Sequence, residues 1–245
     1  MNHRSAGLVI WDVDGTLIPA DLRWLTRAIA RAYGLAQSAV NFPDKKVHGY
    51  TDESIAVDTA IASGVDPSDA EAGIPAFRQA IAAVMQEGRQ EFAEVQPPYL
   101  GAAASIAELH DRGFIQTVLT GNLRSAAEVK LHVAGLDEFL DLRIGGFGSD
   151  ERDRFQLPAV VGRRYSAIYG DQLDSSRVIV IGDAPNDIAC ARHADFHVAV
   201  VAHRIGRQEL TTYEPDLVLD SLEPMMVMAA VSSLLSSGGA RATAC

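Results

Sequence analysis

Short apolar runs alternate with helical patterns along most of the chain. The runs that predict strands lie at 8–11, 115–119, 178–181, 196–201 and 217–219, and 142–144 is a further candidate. Because these runs are apolar at nearly every position, we expect strands that are buried on both faces, as in parallel sheets. Helical patterns lie between them at 99–112, 125–134, 157–168 and 187–194. The alternation predicts an α/β fold with a Rossmann-like, doubly wound parallel sheet.

One long segment interrupts this alternation. Residues 19–97 contain no convincing strand. Instead, Leu22, Leu25, Ile29 and Tyr33 fall near one face of a predicted helix, as do Ile55, Thr59 and Ala62 of another. A third helix is predicted over roughly 74–92, and Pro97 with Pro98 forms a stiff boundary. We therefore expect 19–97 to be an inserted α-helical domain, 1–18 with 98–235 to be the sheet core, and 236–245 to be a frayed tail.

The composition is that of a globular protein. Of the 245 residues, 48% are hydrophobic and 22% charged, which excludes a disordered or fibrous chain. The net charge of −11 disfavours nucleic-acid binding, and no apolar run approaches the roughly 20 residues of a membrane span. Two cysteines, Cys190 and Cys245, are too few for a disulfide framework. We expect a cytoplasmic monomer or homodimer that binds neither nucleic acid nor membrane.

The strongest chemical signal follows the first predicted strand. Asp12, Asp14 and Thr16 belong to the run Asp-Val-Asp-Gly-Thr, in which two carboxylates one residue apart can converge on one cation. An Asp-Gly turn by itself is common. An EF-hand calcium loop matches poorly, because Gly15 is out of position and Arg23 stands where the bidentate glutamate belongs. The run therefore indicates a simple turn or one part of a cation site.

Two more polar groups follow predicted strands. Thr120, Gly121 and Asn122 precede a helix, where a hydroxyl and backbone N–H groups make an anion site, although a plain loop or cap has the same composition. Asp183 follows the strand at 178–181. Asp187 is well explained as part of a helix start, whereas Asp183 is not.

The joint placement of these groups favours a site over separate turns. Each lies at the carboxyl end of a predicted strand, and that edge forms the ligand crevice in open α/β sheets. Parallel strands would bring Asp12, Asp14 and Asp183 together, and such a carboxylate cluster is costly without a cation. An all-oxygen site of this kind suits Mg²⁺.

With these motifs, the sequence resembles the haloacid dehalogenase superfamily of phosphohydrolases. The resemblance extends over about residues 7–235. Asp12 to Thr16 matches the first motif of that family residue for residue, Thr120 matches the second, and Gly182-Asp183 with Asp187 matches the fourth. The helical insertion is similar to the small α-helical cap of the phosphoglycolate-phosphatase-like branch. The resemblance implies a cap domain over 19–97.

The resemblance also implies roles for these residues. Asp12 would be the nucleophile that forms an aspartyl-phosphate, and Asp14 would be the general acid–base. The Asp12 carboxylate, the Asp14 carbonyl and Asp183 would hold Mg²⁺. Thr120 and the N–H groups of Gly121 and Asn122 would bind phosphate oxygens. Thr16 and Asp187 would support the site.

The third motif of the family departs from its usual form here. That motif is commonly a lysine followed by proline, and none of the three lysines (Lys45, Lys46 and Lys130) stands at its place. Lys130 lies mid-helix and too early. The basic residues at that place are Arg154, which we take as the phosphate-binding candidate, and Arg152; both are alternatively surface charges paired with Glu151 and Asp153.

A short segment of the cap resembles the substrate-sensing loop of this branch. It contains His48, Tyr50 and Thr51, which we expect to contribute to specificity, although Thr51 or Asp52 equally well caps the following helix. The glycine-rich run 145–148 lacks the spacing of a nucleotide cradle and is interpreted as a loop near the crevice.

The expected function is Mg²⁺-dependent hydrolysis of a small phosphorylated metabolite. A sugar-phosphate phosphomutase would use the same aspartyl-phosphate, with Lys45 or Lys46 as a weak second phosphate clamp. A dehalogenase is disfavoured because Asp14 is present. A non-catalytic phospho-ligand binding protein would be expected to have lost Asp12 or Asp14, and neither is lost.

Overall fold

The described residues form a sheet of six parallel strands in the order β3-β2-β1-β4-β5-β6. The computed structural model describes residues 5–43 and 50–241, with side chains of the last helix described as far as Ser236. The strands are β1 (Leu8–Trp11), β2 (Ile115–Thr120), β3 (Gly146–Phe147), β4 (Val178–Gly182), β5 (His197–Val201) and β6 (Leu217–Leu219). The predicted α/β fold with a parallel sheet is confirmed.

Between β1 and β2, the described residues form six α-helices. They are α1 (Arg23–Tyr33), α2 (Asp52–Ala62), α3 (Pro67–Ala72), α4 (Ile74–Glu87), α5 (Arg89–Val95) and α6 (Ala102–Asp111). The later helices are α7 (Arg124–Val133), α8 (Leu157–Tyr169), α9 (Pro185–His193), α10 (Arg207–Thr211) and α11 (Pro224–Arg241). α11 continues past Ser236, where the sequence predicts a frayed tail, and 242–245 lie outside the described residues.

Alternate strand residues pack against helices on opposite faces of the sheet. Val9 and Trp11 of β1 belong to a cluster with residues of α6, α7 and α11, whereas Leu8 and Ile10 belong to a second cluster with residues of α8, α9 and α10. This alternation follows from the two-residue repeat of a strand, and it explains why the strand sequences are apolar throughout. The sheet is covered on both sides, as in a doubly wound fold.

The described residues of the segment 19–97, for which the name cap is used below, share an apolar cluster with the sheet core. Trp24, Phe77 and Phe92 of the cap are buried in the same cluster as Val13 and Leu17, which follow β1. Helices α4 and α5 also contact α7. The cap is therefore held beside the carboxyl edge of the sheet by apolar burial.

Two sequence predictions about secondary structure are wrong in detail. The run 142–144 is not a strand; the edge strand is Gly146–Phe147, inside the run interpreted as a loop, and it pairs with Leu119 and Thr120. The helix predicted over 74–92 is two helices, because it breaks at Gly88, where a Cβ would lie only 2.3 Å from the Trp24 ring. Within the described ranges, no helix has the length and apolar character needed to cross a bilayer.

Candidate active site

The chain turns sharply where it leaves β1. The Asp12 N–H donates to the Ile181 carbonyl at 2.9 Å, which still holds Asp12 at the sheet edge. Gly15 then adopts a φ of +98°, and a Cβ there would lie 2.5 Å from an Asp183 carboxylate oxygen. Only glycine accommodates both the left-handed backbone and this close approach. The turn therefore places Asp12 and Asp14 beside the end of β4.

Three buried carboxylates meet at this edge. Asp12, Asp183 and Asp187 each offer an oxygen, and these atoms all lie within 4.8 Å of one another. Thr16 Oγ1 lies 3.4 Å from Asp12 Oδ2 and 3.3 Å from Asp183 Oδ1. The Asp187 carboxylate accepts the N–H groups of Asp183 and Ala184, each at 3.0 Å, and so fixes the start of α9. Asp187 is thus both part of the cluster and a helix cap.

Burial and mutual repulsion make the ionised cluster unfavourable without a cation. Burial, together with the charge of Asp187, raises the pKa of Asp12 well above its usual range, and Arg154 opposes that shift. The same two causes raise the pKa of Asp183 to about 6, against the effect of Arg204. A bound cation would relieve both the desolvation and the repulsion.

Arg154 lies inside this cluster. Its Nη2 is 3.0 Å from Asp12 Oδ1 and 2.5 Å from Asp187 Oδ1, and the side chain is 7% exposed. Its Nε is buried without a hydrogen-bond partner in the described part of the chain. Arg152, the other candidate, pairs with Glu71 of the cap at 2.7 Å with 42% of its side chain exposed. Of the two arginines, only Arg154 reaches the candidate nucleophile.

The loop after β2 faces the carboxylates across a cavity. Asp12, Asp14, Thr120, Gly121, Asn122, Arg154 and Asp183 all line it, together with cap residues that include Leu22, Trp24, Tyr50 and Ile55. The Asn122 N–H donates to Thr120 Oγ1 at 3.2 Å. The structure therefore brings the residues predicted to bind phosphate to the same cavity as the predicted nucleophile.

A lysine that the sequence interpretation set aside also belongs to the site. Lys130 Nζ lies 2.5 Å from Asp14 Oδ2 and 3.0 Å from Asn122 Oδ1, and the side chain is 8% exposed. The signal for it was available: Ala126, Ala127 and Leu131 place Lys130 on the buried face of α7, where a lone charge needs a partner.

Two further charged residues were not assigned to the site from the sequence. Arg204, in the loop after β5, contacts Asp183 Oδ2 through Nε at 2.8 Å and Nη2 at 2.6 Å. Asp52, in the first turn of α2, accepts from Asn122 Nδ2 at 3.2 Å and from the Leu123 N–H at 3.0 Å. Arg204 follows a strand end, as the three motifs do, which was a usable signal. The docking of Asp52 depends on the position of the cap, which spacing does not reveal.

The predicted specificity residues of the cap have different surroundings. Tyr50 lines the cavity and is 45% exposed. Thr51 is the N-cap of α2: its Oγ1 accepts the Ser54 N–H at 3.4 Å and donates to the Arg152 carbonyl at 3.1 Å. His48, Lys45 and Lys46 lie outside the described residues.

The matching family model identifies the class of this protein. The model described as haloacid dehalogenase-like hydrolase matches residues 9–192, and the chain belongs to that family. This range contains Asp12, Thr120, Arg154, Asp183 and Asp187. The match to the family therefore covers these five residues of the cavity lining.

Individual relatives are similar over nearly the whole chain. Pyrophosphatase PpaX of Halalkalibacterium halodurans is 24% identical over 229 residues, which cover 92% of this chain and 97% of the relative. Phosphoglycolate phosphatase of Neisseria meningitidis is 25% identical over 222 residues, covering 87% and 89%. The crystal structure of a predicted phosphoglycolate phosphatase from Haemophilus somnus superimposes with a TM-score of 0.64 at 20% identity, covering 91% of this chain and 97% of that one. The fold of the chain is thus that of these hydrolases.

Proposed function

We propose that the protein is a Mg²⁺-dependent phosphatase that hydrolyses a small phosphorylated metabolite through an aspartyl-phosphate on Asp12. The observation that carries this proposal is the cavity in which Asp12 lies with Arg154, Asp183 and the loop at Thr120. The names of the two relatives, a pyrophosphatase and a phosphoglycolate phosphatase, support phosphate hydrolysis.

The donor atoms at this edge fit a magnesium ion. The carboxylates of Asp12 and Asp183, with the Asp14 carbonyl, would hold it, and such an oxygen-only set is the kind that Mg²⁺ prefers. Arg204 would have to share or release Asp183 Oδ2, which it contacts at 2.6 Å. When bound, Mg²⁺ supplies positive charge that offsets the repulsion between a phosphate dianion and Asp12.

In the first step, a carboxylate oxygen of Asp12 attacks phosphorus while the bond from phosphorus to the leaving oxygen breaks. Asp14, protonated, donates its proton to that leaving oxygen. Thr120, the N–H groups of Gly121 and Asn122, and Arg154 hold the other phosphate oxygens. Fixed donors of this kind stabilise charge that develops in the transition state.

In the second step, the Asp14 carboxylate takes a proton from a water molecule as that water attacks phosphorus. The bond from phosphorus to the Asp12 oxygen then breaks, which releases inorganic phosphate and regenerates both carboxyl groups. The cap would exclude bulk water from the cavity during transfer.

The test is phosphate release from p-nitrophenyl phosphate and from a panel of phosphate monoesters and pyrophosphate, with Mg²⁺ and with excess EDTA. Wild type is expected to turn over with Mg²⁺ only, and Asp12→Asn to lose at least ~10³-fold because covalent transfer needs the carboxylate oxygen. Asp66→Asn is the matched control, because Asp66 is the N-cap of α3 outside the site and asparagine is also a good N-cap residue.

Other results would contradict this proposal. Absence of turnover by wild type with every phosphoester would favour a protein that only binds a phosphorylated ligand. Conversion of a hexose 1-phosphate into an isomeric hexose phosphate, without release of inorganic phosphate, would indicate a phosphomutase.

A further inference from the structure

Lys130 is the only lysine in the described part of the chain, and it is buried against Asp14. Its ammonium group lies between two acceptors, Asp14 Oδ2 at 2.5 Å and Asn122 Oδ1 at 3.0 Å. Burying a flexible charged side chain is costly, and the pairing with Asp14 and Asn122 offsets that cost. The lysine therefore ties the position of Asp14 to that of Asn122.

Asn122 is in turn held by the cap. Its Nδ2 donates to Asp52 Oδ1 at 3.2 Å, which assigns the amide orientation, since Oδ1 faces the lysine. The other Asp52 oxygen accepts the Leu123 N–H at 3.0 Å, and the Asp52 N–H donates to the Gly121 carbonyl at 2.8 Å. The first turn of α2 is thus attached to the loop after β2 at three points.

The two oxygens of Asp14 have different surroundings. Oδ2 is held by Lys130, whereas Oδ1 is buried without a hydrogen-bond partner among the described residues. Asp14 also lines the cavity. One oxygen is therefore anchored and the other is left to exchange a proton with a bound substrate or water.

We propose that Lys130 is a positioning residue that orients the carboxyl group of Asp14 for proton transfer, and that Asp52 makes this orientation depend on docking of the cap. This rests on the proposed function, in which Asp14 is the acid–base. The chain of contacts runs from Asp52 through Asn122 and Lys130 to Asp14, so withdrawal of α2 would release Asn122 and loosen the lysine. Proton transfer would then be efficient only with the cap in place.

The kinetic test compares substrates that differ in their need for an acid. An alkyl phosphate has a poor leaving group that needs a proton, whereas p-nitrophenolate leaves without one. Lys130→Met, of similar length and without charge, is expected to lower kcat/KM, which reports the first phosphoryl transfer, by roughly 10²-fold for the alkyl phosphate and by less than roughly 10-fold for p-nitrophenyl phosphate. Adding Lys130→Met to Asp14→Asn should cause no further loss.

The cap end of the contact chain has its own matched pair of variants. Both carboxylate oxygens of Asp52 accept a hydrogen bond, one from Asn122 and one from Leu123, and Asp52→Asn keeps only one acceptor oxygen. This variant should therefore also lose activity selectively on the alkyl phosphate, but less than Lys130→Met does. Glu53→Gln changes the next carboxylate of α2, which is buried and pairs with Arg78 at 2.6 Å, away from this chain of contacts. It should leave the ratio of the two substrates unchanged.

Specific results would overturn the inference. An equal loss of kcat/KM on both substrates would show that Lys130 has a structural or phosphate-binding role and does not orient Asp14 for proton transfer. A selective loss for Glu53→Gln equal to that for Asp52→Asn would overturn the role of Asp52.

A stability cycle separates this inference from the proposed function. The effects of Asp14→Asn and Lys130→Met on the urea midpoint should be non-additive if the contact exists, whether or not the protein turns over a phosphoester. Lys130→Arg, which keeps the charge, serves where Lys130→Met does not fold. Additive effects on stability would refute the pairing itself; an inactive wild type with a coupled pair would refute the phosphatase function and, with it, the role of Lys130 in proton transfer.

Discussion

Single residues balance the charge of the candidate site. Asp12, Asp183 and Asp187 form a compact acidic cluster; the Arg154 guanidinium contacts Asp12 and Asp187, and that of Arg204 contacts Asp183. These charges are buried or nearly so, hence their pairing matters more than that of surface ions. Removing Arg154 takes away the side-chain cation that Asp12 and Asp187 share.

Arg154 should therefore be far more sensitive to substitution than Arg152. Arg154→Ala is expected to destabilise the protein by about 3–5 kcal/mol, because it leaves Asp12 and Asp187 without their shared partner. Arg154→Lys should retain more stability and more phosphatase activity than Arg154→Ala, since the charge remains. Arg152→Ala, which removes an exposed pair, should cost about 0–1 kcal/mol. Urea denaturation checks these values, and a harmless Arg154→Ala would contradict the assignment.

At the scale of elements, the first turn of α2 lies directly on the loop after β2. A Cβ on Gly121 would come within 2.0 Å of the Tyr50 carbonyl, and one on Gly148 within 2.0 Å of the Gly121 carbonyl. Backbone segments from the cap, the loop and the edge strand therefore stack with no room for side chains. This close contact buries Asp52, and burial raises the pKa of Asp52 to about 6, against the opposing charge of Lys130.

The raised pKa of Asp52 predicts how stability depends on pH. The folded state holds the Asp52 proton up to about pH 6, whereas the unfolded chain releases it near pH 4, so this group destabilises the fold as pH rises from about 4 to 7. Asp52→Asn removes this pH-dependent contribution to the free energy of unfolding. The stability of the variant relative to wild type should therefore increase from about pH 4 to pH 7. Urea midpoints at several pH values, in EDTA, measure the change.

Asp66→Asn provides a control of opposite sign. Hydrogen bonds from Ser68 lower the pKa of Asp66, so its contribution is present at neutral pH and is lost as pH falls. Relative to wild type, Asp66→Asn should therefore lose stability as pH rises. Parallel pH profiles for the two variants would refute the burial argument for Asp52.

For the whole molecule, one apolar cluster joins the cap to the sheet core across the site. Trp24 and Phe77 of the cap share it with Trp11 of the sheet. Because both parts contribute residues to the same cavity, a ligand bound there should stabilise the molecule as a unit.

Magnesium is accordingly expected to raise the unfolding temperature. Binding at 100 times Kd should stabilise the folded state by about 2.7 kcal/mol. Asp183→Asn should reduce this effect strongly, whereas Asp66→Asn should preserve it. Thermal unfolding in EDTA, in MgCl₂ and in NaCl of matched ionic strength measures it. The same midpoint in all three solutions would count against a metal site.

The sequence by itself determined the sheet, its covered faces and the edge at which the acids gather. Strand periodicity and the parallel arrangement carry this information, because residues that follow parallel strands must meet. Asp12, Thr120 and Asp183 follow three such strands and line one cavity. Arg154 is a candidate through the family resemblance alone.

Only the tertiary structure decided which charges pair within the site. Lys130 lies mid-helix and Asp52 lies in the cap, so their contacts depend on how α7 and α2 pack, which local spacing does not encode. The edge strand at Gly146–Phe147 likewise exists because β2 offers free backbone groups beside it, although glycine is disfavoured in strands and the run 145–148 is rich in glycine. Local sequence specifies elements and their ends, whereas pairing across elements is set by packing of the whole chain.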